Sequence, residues 1–183
     1  MTRARSVWPL AAAVAAVAAI TLAGCAATVR SYVDRRADFT QYRTYAWGPA
    51  DTFTTGDPRL DNNAFFRDRL QQAADARLTA RGFEQTDMES ADLLLHYHVN
   101  VTQRIDVNEL DRQYGYCEDC RASVYDAGTL TLDLIDVRTG RLVWRGWAER
   151  SIEGILDRQD WMERRIDEAV ARVLERLPRR LSI

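Results

Sequence analysis

Cys117 and Cys120 lie three positions apart and are the residues with the clearest potential for chemistry. In an oxidising compartment such a pair most simply forms a local disulfide. A redox-active pair would be expected at the start of a helix in a βαβ setting, whereas strand-forming residues follow this one. The pattern therefore favours a structural disulfide, and it leaves free thiols, a metal site or redox catalysis open.

His96 and His98 are the only two histidines of the chain. Their spacing places both imidazoles on the same face of one predicted strand, about 7 Å apart. Two imidazoles so placed can share a metal ion, and Cys117 and Cys120 could complete a zinc site with them. No spacing rule connects the two pairs, so the simpler interpretation places the histidines on the more polar face of a sheet.

Trp147 is a candidate partner-contact residue. Trp144 and Trp147 fall on opposite faces of a predicted strand, so they cannot both pack against the same helices. An exposed aromatic side chain on a sheet suits contact with a protein, peptide or glycan, and packing at an edge of the core is the alternative. The chain has no phosphate-binding, serine-hydrolase or zinc-protease motif, and the sequence predicts no enzyme.

Alternation of apolar and polar residues predicts the strands that carry these side chains. Residues 129–137 and 141–148 alternate on either side of a short loop that ends in Gly140, which predicts a β-hairpin. Residues 42–47 and 92–101 predict two further strands. Periodicity is lost between Gln103 and Asp126, which predicts a connecting loop.

Two apolar stripes at helical spacing predict two helices. The first is predicted to start at Asp57-Pro58 and to end at Arg81, and the second runs from Asp157 to Pro178. A hairpin implies antiparallel pairing, and two one-sided helices must bury their apolar stripes against something. The sequence therefore predicts an α+β fold, a two-layer sandwich in which both helices pack on one face of an antiparallel sheet.

The N-terminus has the organisation of a bacterial lipoprotein signal. Arg3 and Arg5 precede an uncharged, alanine-rich stretch from Val7 to Ala23. The sequence Leu22-Ala23-Gly24-Cys25 resembles a lipobox, in which the cysteine thiol takes a diacylglyceryl group and becomes the first residue after cleavage. An uncleaved anchor helix with an incidental cysteine is the alternative.

This signal predicts the domain organisation and the compartment. We expect a signal peptide at residues 1–24, a lipidated N-terminus and tether at 25–36, and a single α+β domain at 37–183. Within the tether, a strand is predicted at 29–33. Ala26 rather than an aspartate follows Cys25, and by analogy with enterobacterial sorting this indicates the periplasmic face of the outer membrane.

The charge balance restricts the class of partner. The formal net charge is −2, and the arginines are interleaved with acidic residues, so there is no basic surface for nucleic acid. The expected partners are the membrane, through the lipid anchor, and an envelope protein or a cell-wall component. No cofactor is expected beyond the covalent diacylglycerol and N-acyl lipid on Cys25.

Five short motifs occur in order along the chain: Tyr42-Arg43-Thr44-Tyr45-Ala46-Trp47, Leu78-x-x-x-Gly82-Phe83, Ala91-Asp92-Leu93-Leu94, Gly128-Thr129-Leu130-x-Leu132-Asp133 and Leu142-Val143-Trp144-Arg145-Gly146. With this set the chain resembles the bacterial lipoproteins of domain-of-unknown-function family 4136 over nearly all of residues 29–178. The resemblance implies an α+β domain in the cell envelope, and it implies no catalytic residues because the family has no established reaction. The chain ends its second helix with Leu177-Pro178 where the family favours phenylalanine-proline, and the cysteine pair is not part of the pattern.

Two hypotheses about function follow. The first is a lipid-anchored, non-enzymatic binding or assembly module on the periplasmic side of the outer membrane. The alternative is a small metal-binding or redox lipoprotein that uses His96, His98, Cys117 and Cys120. The alternative requires reduced cysteines.

Overall fold

The computed structural model describes residues 27–49, 54–105 and 124–179. Within these ranges the chain forms six strands and two helices. In order they are β1 (Thr28–Val33), β2 (Thr44–Trp47), α1 (Ala64–Thr79), β3 (Glu84–Gln85), β4 (Leu93–Ile105), β5 (Val124–Asp136), β6 (Arg141–Ser151) and α2 (Gln159–Glu175). Cys25, Cys117 and Cys120 lie outside the described residues.

The strands form one sheet in the order β1-β6-β5-β4-β2-β3. Pairing is antiparallel from β1 through β6 and β5 to β4. β2, by contrast, runs parallel to both β3 and β4. The predicted α+β sandwich is confirmed, but its sheet is mixed rather than wholly antiparallel. After β2, helix α1 carries the chain back along the sheet, so the next strand starts at the same end as β2 and runs parallel to it.

Both helices pack on the same face of the sheet and bury their apolar stripes there. Apolar side chains that face this layer are almost fully inaccessible to solvent, and they include Tyr45, Leu70, Ala74, Leu78, Leu93, Leu95, Leu132, Leu134, Trp144, Val170, Val173 and Leu174. One polar cluster crosses the same interface. The Tyr45 hydroxyl and the Trp47 indole Nε1 both donate to Asp75 Oδ1 on α1, at 2.7 and 2.9 Å.

The helices begin later than predicted. α1 starts at Ala64, because Asn62 has a φ of 55° that interrupts the preceding turns and the Asn63 side chain caps the helix by accepting from Phe66 N at 3.0 Å. Asp57 instead forms an ion pair with Arg59 at 2.7 Å. The predicted cap of α2, Asp157, also pairs with Arg59, at 2.7 Å, and α2 starts at Gln159 without a side-chain cap.

Two strands extend further than the periodicity indicated. β4 continues to Ile105 and β5 begins at Val124, within the segment predicted to be a loop. The side chains of residues 102–105 are exposed on both faces. Hydrophobic alternation marks a strand only where one face is buried, so this part of the ladder leaves no such pattern in the sequence.

A β-bulge changes which face one residue of β6 presents. Leu134 pairs with Trp144 and Ile135 pairs with Leu142, so Val143 is an additional residue on β6. Without the bulge, alternation along β6 would place Val143 on the same face as Arg145 and Trp147. The bulge instead buries Val143 with the hydrophobic core.

β1 lies within the segment 25–36 that the sequence assigned to the lipidated N-terminus and tether. It pairs with β6 along its whole length, from Thr28 opposite Glu149 to Val33 opposite Trp144. None of the helices in the described part of the chain is long and apolar enough to cross a membrane.

Candidate binding face of the sheet

The face of the sheet opposite the helices, called here the helix-free face, carries the three sequence-predicted site residues that the structure describes: His96, His98 and Trp147. The strand register places Asp133 between His96 and Arg145, and Thr131 between His98 and Trp147. On β1, Tyr32 lies opposite Arg145. Pairing across β4, β5 and β6 therefore brings onto one face side chains that are distant in the sequence. His96 and Trp147, for example, are 51 positions apart.

An ion pair between the buried carboxylate of Asp133 and the partly exposed guanidinium of Arg145 lies at the centre of this face. Asp133 is only 3% exposed, and its two carboxylate oxygens accept from Arg145 Nε at 2.7 Å and Nη2 at 2.6 Å. His98 Nε2 lies 3.3 Å from Asp133 Oδ2. The hydrogen bond from Arg145 to Asp133 raises the pKa of the guanidinium above its usual range. A bidentate pair of this kind holds the arginine in one orientation.

The two histidines contact different neighbours. His98 reaches Asp133, whereas the imidazole of His96 lies against Gly48. A Cβ at position 48 would lie only 2.2 Å from His96 Cε1 and Nε2, so glycine leaves the room that the ring needs. Among the described residues, no group of three or more His, Cys, Asp or Glu side chains is arranged to hold a metal ion. The disulfide at Cys117 and Cys120, and any metal site shared with the histidines, stay predictions.

Trp147 is half-buried on the helix-free face, while Trp144 is fully buried in the core. The neighbours of Trp147 across the ladder are Thr131 on β5 and Arg30 on β1. The half-exposed Tyr32 pairs with Arg145 across β1 and β6. Trp147 and Tyr32 are therefore both neighbours of Arg145 on this face. This group of aromatic and arginine side chains has the composition typical of the energetic centres of protein interfaces.

A polar cleft of about 530 Å³ lies at the end of the sheet near the β5–β6 turn. In it the Tyr42 hydroxyl donates to Asp136 Oδ2 at 2.9 Å, and Arg141 pairs with Asp34 at 2.5 Å. Sequence reasoning missed this grouping. The only signals were a tyrosine at the start of the first motif and an aspartate directly after a buried strand, and neither shows that the two residues meet.

Asp92 joins two of the sequence motifs. Its carboxylate accepts from the backbone N–H of Arg43 at 2.7 Å and of Thr44 at 3.0 Å, and its own N–H donates to Thr44 Oγ1 at 2.9 Å. Burial alone would raise the pKa of Asp92, but these hydrogen bonds outweigh it and the net pKa is lowered. Asp92 therefore acts as an ionised structural acceptor that joins β2 to β4.

Comparison with known proteins identifies the family. The family model described as "Domain of unknown function (DUF4136)" matches residues 29–179. The chain belongs to this family. The resemblance seen in the sequence motifs is confirmed, and the family's function is unknown. No curated protein matches this chain significantly.

Three solved structures are similar to this DUF4136 member. A PDZ domain protein from Parabacteroides distasonis has 14% identity and a TM-score of 0.51; the match covers 91% of this chain and 40% of that one. A DUF4136 family protein from Bacteroides thetaiotaomicron has 12% identity and a TM-score of 0.48, with 81% and 94% covered. The PelC dodecamer from Paraburkholderia phytofirmans has 16% identity and a TM-score of 0.45, with 81% and 95% covered.

Proposed function

We propose that this DUF4136 protein is a lipid-anchored, non-enzymatic binding module on the periplasmic face of the bacterial outer membrane. In this proposal Cys25 carries the diacylglycerol and N-acyl lipid, and the helix-free face of the sheet binds an envelope protein or a cell-wall component. The protein needs no cofactor for this role.

The composition of the helix-free face carries the proposal. Trp147 and Tyr32 present aromatic surface, and Arg145, which pairs with Tyr32 across β6 and β1, is held in one orientation by Asp133. Rigid aromatic and arginine side chains lose little conformational entropy on binding, so they are efficient contact residues. Neither helix of the described part of the chain covers this face.

The pKa directions of two carboxylates favour a binding role rather than a chemical one. Carboxylates with lowered pKa, such as Asp92 and Asp136, are held by backbone N–H groups and hydroxyls that belong to the fold. A general acid or base needs a proton affinity near the working pH. These groups are shifted away from that range.

The anchor is tested by replacing Cys25 with serine. We expect Cys25→Ser to move the protein from the membrane fraction to the soluble fraction with its circular dichroism spectrum unchanged, because the acyl chains supply the membrane affinity. Intact mass spectrometry of the wild-type protein should show the added lipid. A Cys25→Ser protein that stays in the membrane would contradict the proposed anchor.

The binding face is tested with the variant Trp147→Ala. The matched control is Trp161→Ala, because Trp161 is an exposed tryptophan on α2. Each lipidated protein is solubilised from its own membranes in mild detergent, and stoichiometric co-purifying proteins are quantified. In parallel, each is sedimented with purified peptidoglycan sacculi. We expect Trp147→Ala alone to lower binding at least tenfold in one of the two assays. Equal binding by the two variants in both assays would exclude the helix-free face as the binding site.

A further inference from the structure

An apolar cavity of about 100 Å³ lies between the sheet and the N-terminal half of α2. β4, β5, the segment after β6 and α2 all supply aliphatic side chains to its wall, among them Val101, Leu130, Ile152, Ile166 and Ala169. Val101, Ile152 and Ala169 are only partly buried, so the cavity is open to solvent on one side. Apolar cavities of about this size bind small hydrocarbon groups.

Three arginines surround one glutamate beside this cavity. Arg150 Nη1 and Arg165 Nη1 both donate to Glu168 Oε2, at 2.9 and 2.8 Å, and Arg172 Nη2 lies 3.1 Å from Glu168 Oε1. Arg150, Arg165 and Glu168 themselves line the cavity. Burial alone would raise the pKa of Glu168, but the arginines outweigh it and the net pKa is lowered, so Glu168 is ionised.

This cluster has more positive charge and more hydrogen-bond donors than Glu168 can satisfy. Among the described residues, three guanidinium groups share one carboxylate, which leaves two positive charges in excess. A carboxylate accepts about four hydrogen bonds, whereas three guanidinium groups together offer about fifteen N–H donors. Arginine binds carboxylates strongly because two of its N–H groups match the two carboxylate oxygens. The cluster is therefore suited to bind a second carboxylate.

We propose that this cavity binds a fatty acid, with its alkyl chain in the apolar space and its carboxylate on Arg150 and Arg165. Charge complementarity selects an anionic ligand, and the volume of about 100 Å³ suits one alkyl chain rather than the two chains of a phospholipid. The site lies on the helix side of the sheet. It is thus separate from Trp147 on the helix-free face, and it does not depend on lipid at Cys25.

Photo-cross-linking with a matched pair of probes tests the site. One probe is decanoic acid with a diazirine group near its methyl end, and the other is the corresponding alcohol, which has the same chain and no charge. Each probe is added to the full-length protein in the cell fraction in which it accumulates, and adducts are mapped by peptide mass spectrometry after irradiation. We expect the acid to label wall residues such as Val101, Ile152 and Ile166 at least fivefold more than the alcohol does.

Two variants separate the role of the charge from that of the cavity. Arg165→Gln removes one guanidinium group beside the cavity, and we expect it to lower labelling by the acid at least fivefold. The matched control is Arg164→Gln on the same helix, because the Arg164 side chain is 66% exposed and pairs with Asp160 instead. Ala169→Leu partly fills the cavity and should lower labelling by both probes. Circular dichroism checks that each variant keeps the wild-type fold.

Two kinds of result would overturn the fatty-acid site. One is equal labelling by acid and alcohol, or an equal effect of Arg165→Gln and Arg164→Gln. The other is a cavity that is labelled only in the Cys25→Ser protein, since the protein's own acyl chain would then be its occupant. Neither result contradicts the proposed function, because the anchor and the helix-free face are tested by fractionation and by Trp147→Ala.

Discussion

At the scale of single residues, the interaction between Tyr42 and Asp136 is typical of how this chain uses its polar side chains. Asp136 ends β5 and accepts from the Tyr42 hydroxyl at 2.9 Å and from the Thr139 N–H at 2.8 Å. Burial alone would raise the pKa of Asp136, but these donors lower it overall. Burial and the neighbouring carboxylate raise the pKa of Tyr42 to about 12. The bond connects the β5–β6 turn to the segment before β2.

We expect Tyr42→Phe to lower the free energy of unfolding by about 1–2 kcal/mol at pH 7, because it removes a hydrogen bond to a buried carboxylate. The pKa of Asp136 in the folded protein lies below the unfolded value of about 3.9. Its contribution to stability is therefore present above about pH 4 and is lost as the pH falls further. The folded pKa of Tyr42 lies above the unfolded value of about 10, so its contribution is lost as the pH rises from about 10 towards 12.

Urea unfolding of wild type and Tyr42→Phe between pH 3 and pH 11 measures how the difference in their free energies of unfolding depends on pH. The matched control is Tyr32→Phe, since Tyr32 is half-exposed on β1 and we expect a change within about 0.5 kcal/mol. A difference between Tyr42→Phe and wild type that stays constant from pH 3 to pH 11 would contradict the assigned titration.

At the scale of secondary-structure elements, Gly146 determines how closely α2 approaches the sheet. A Cβ at this position would lie 2.5 Å from Trp144 Cη2 and Cζ2, and 2.8 Å from Val173 Cγ1 on α2. The indole of Trp144 therefore lies over Gly146, and the helix packs on the indole. This explains why the motif Trp144-Arg145-Gly146 combines a large and a small residue two positions apart on one face of a strand.

We expect Gly146→Ala to destabilise the protein by about 1–3 kcal/mol, because the methyl group has no space without moving the indole or the helix. The control is Gly140→Ala, where no atom lies within 4 Å but φ is 67°, so the expected cost is about 1 kcal/mol of backbone strain alone. Near-ultraviolet circular dichroism should change for Gly146→Ala and not for Gly140→Ala. Wild-type stability and spectrum in Gly146→Ala would rule out this packing explanation.

At the scale of the whole molecule, the location of β1 bears on where the folded unit begins. β1 forms one edge of the sheet and pairs with β6 through six residue pairs. Asp34, directly after β1, is paired with Arg141 in the β5–β6 hairpin. The predicted domain of 37–183 leaves both of these interactions out.

We therefore expect a chain that starts at residue 37 to lose several kcal/mol of stability relative to one that starts at residue 26, out of the roughly 5–15 kcal/mol typical of a domain. The loss of β1 would leave the hydrogen-bonding groups of β6 unpaired and uncover part of the core around Trp144. Thermal and urea unfolding of the two soluble chains measure the difference. Equal stability would show that the folded unit begins at residue 37, as the sequence predicted.

The features that the sequence determined by itself are the local ones. Alternation with a period of two identified the β5–β6 hairpin and the opposite orientations of Trp144 and Trp147, and helical spacing identified the buried stripes of α1 and α2. These patterns can be read from a sequence because each depends only on near neighbours in the chain. They were sufficient for the α+β fold class, and the five ordered motifs were sufficient for the resemblance to the family.

Only the tertiary structure decided which distant residues meet. Tyr42 and Asp136 are 94 positions apart, and the assembly of His98, Asp133 and Arg145 depends on the register of three strands. The bulge at Val143, the parallel pairing of β2 and the starts of both helices also depend on contacts across the fold. Register and packing are set by the sum of many long-range contacts, and no single stretch of this sequence contains that sum.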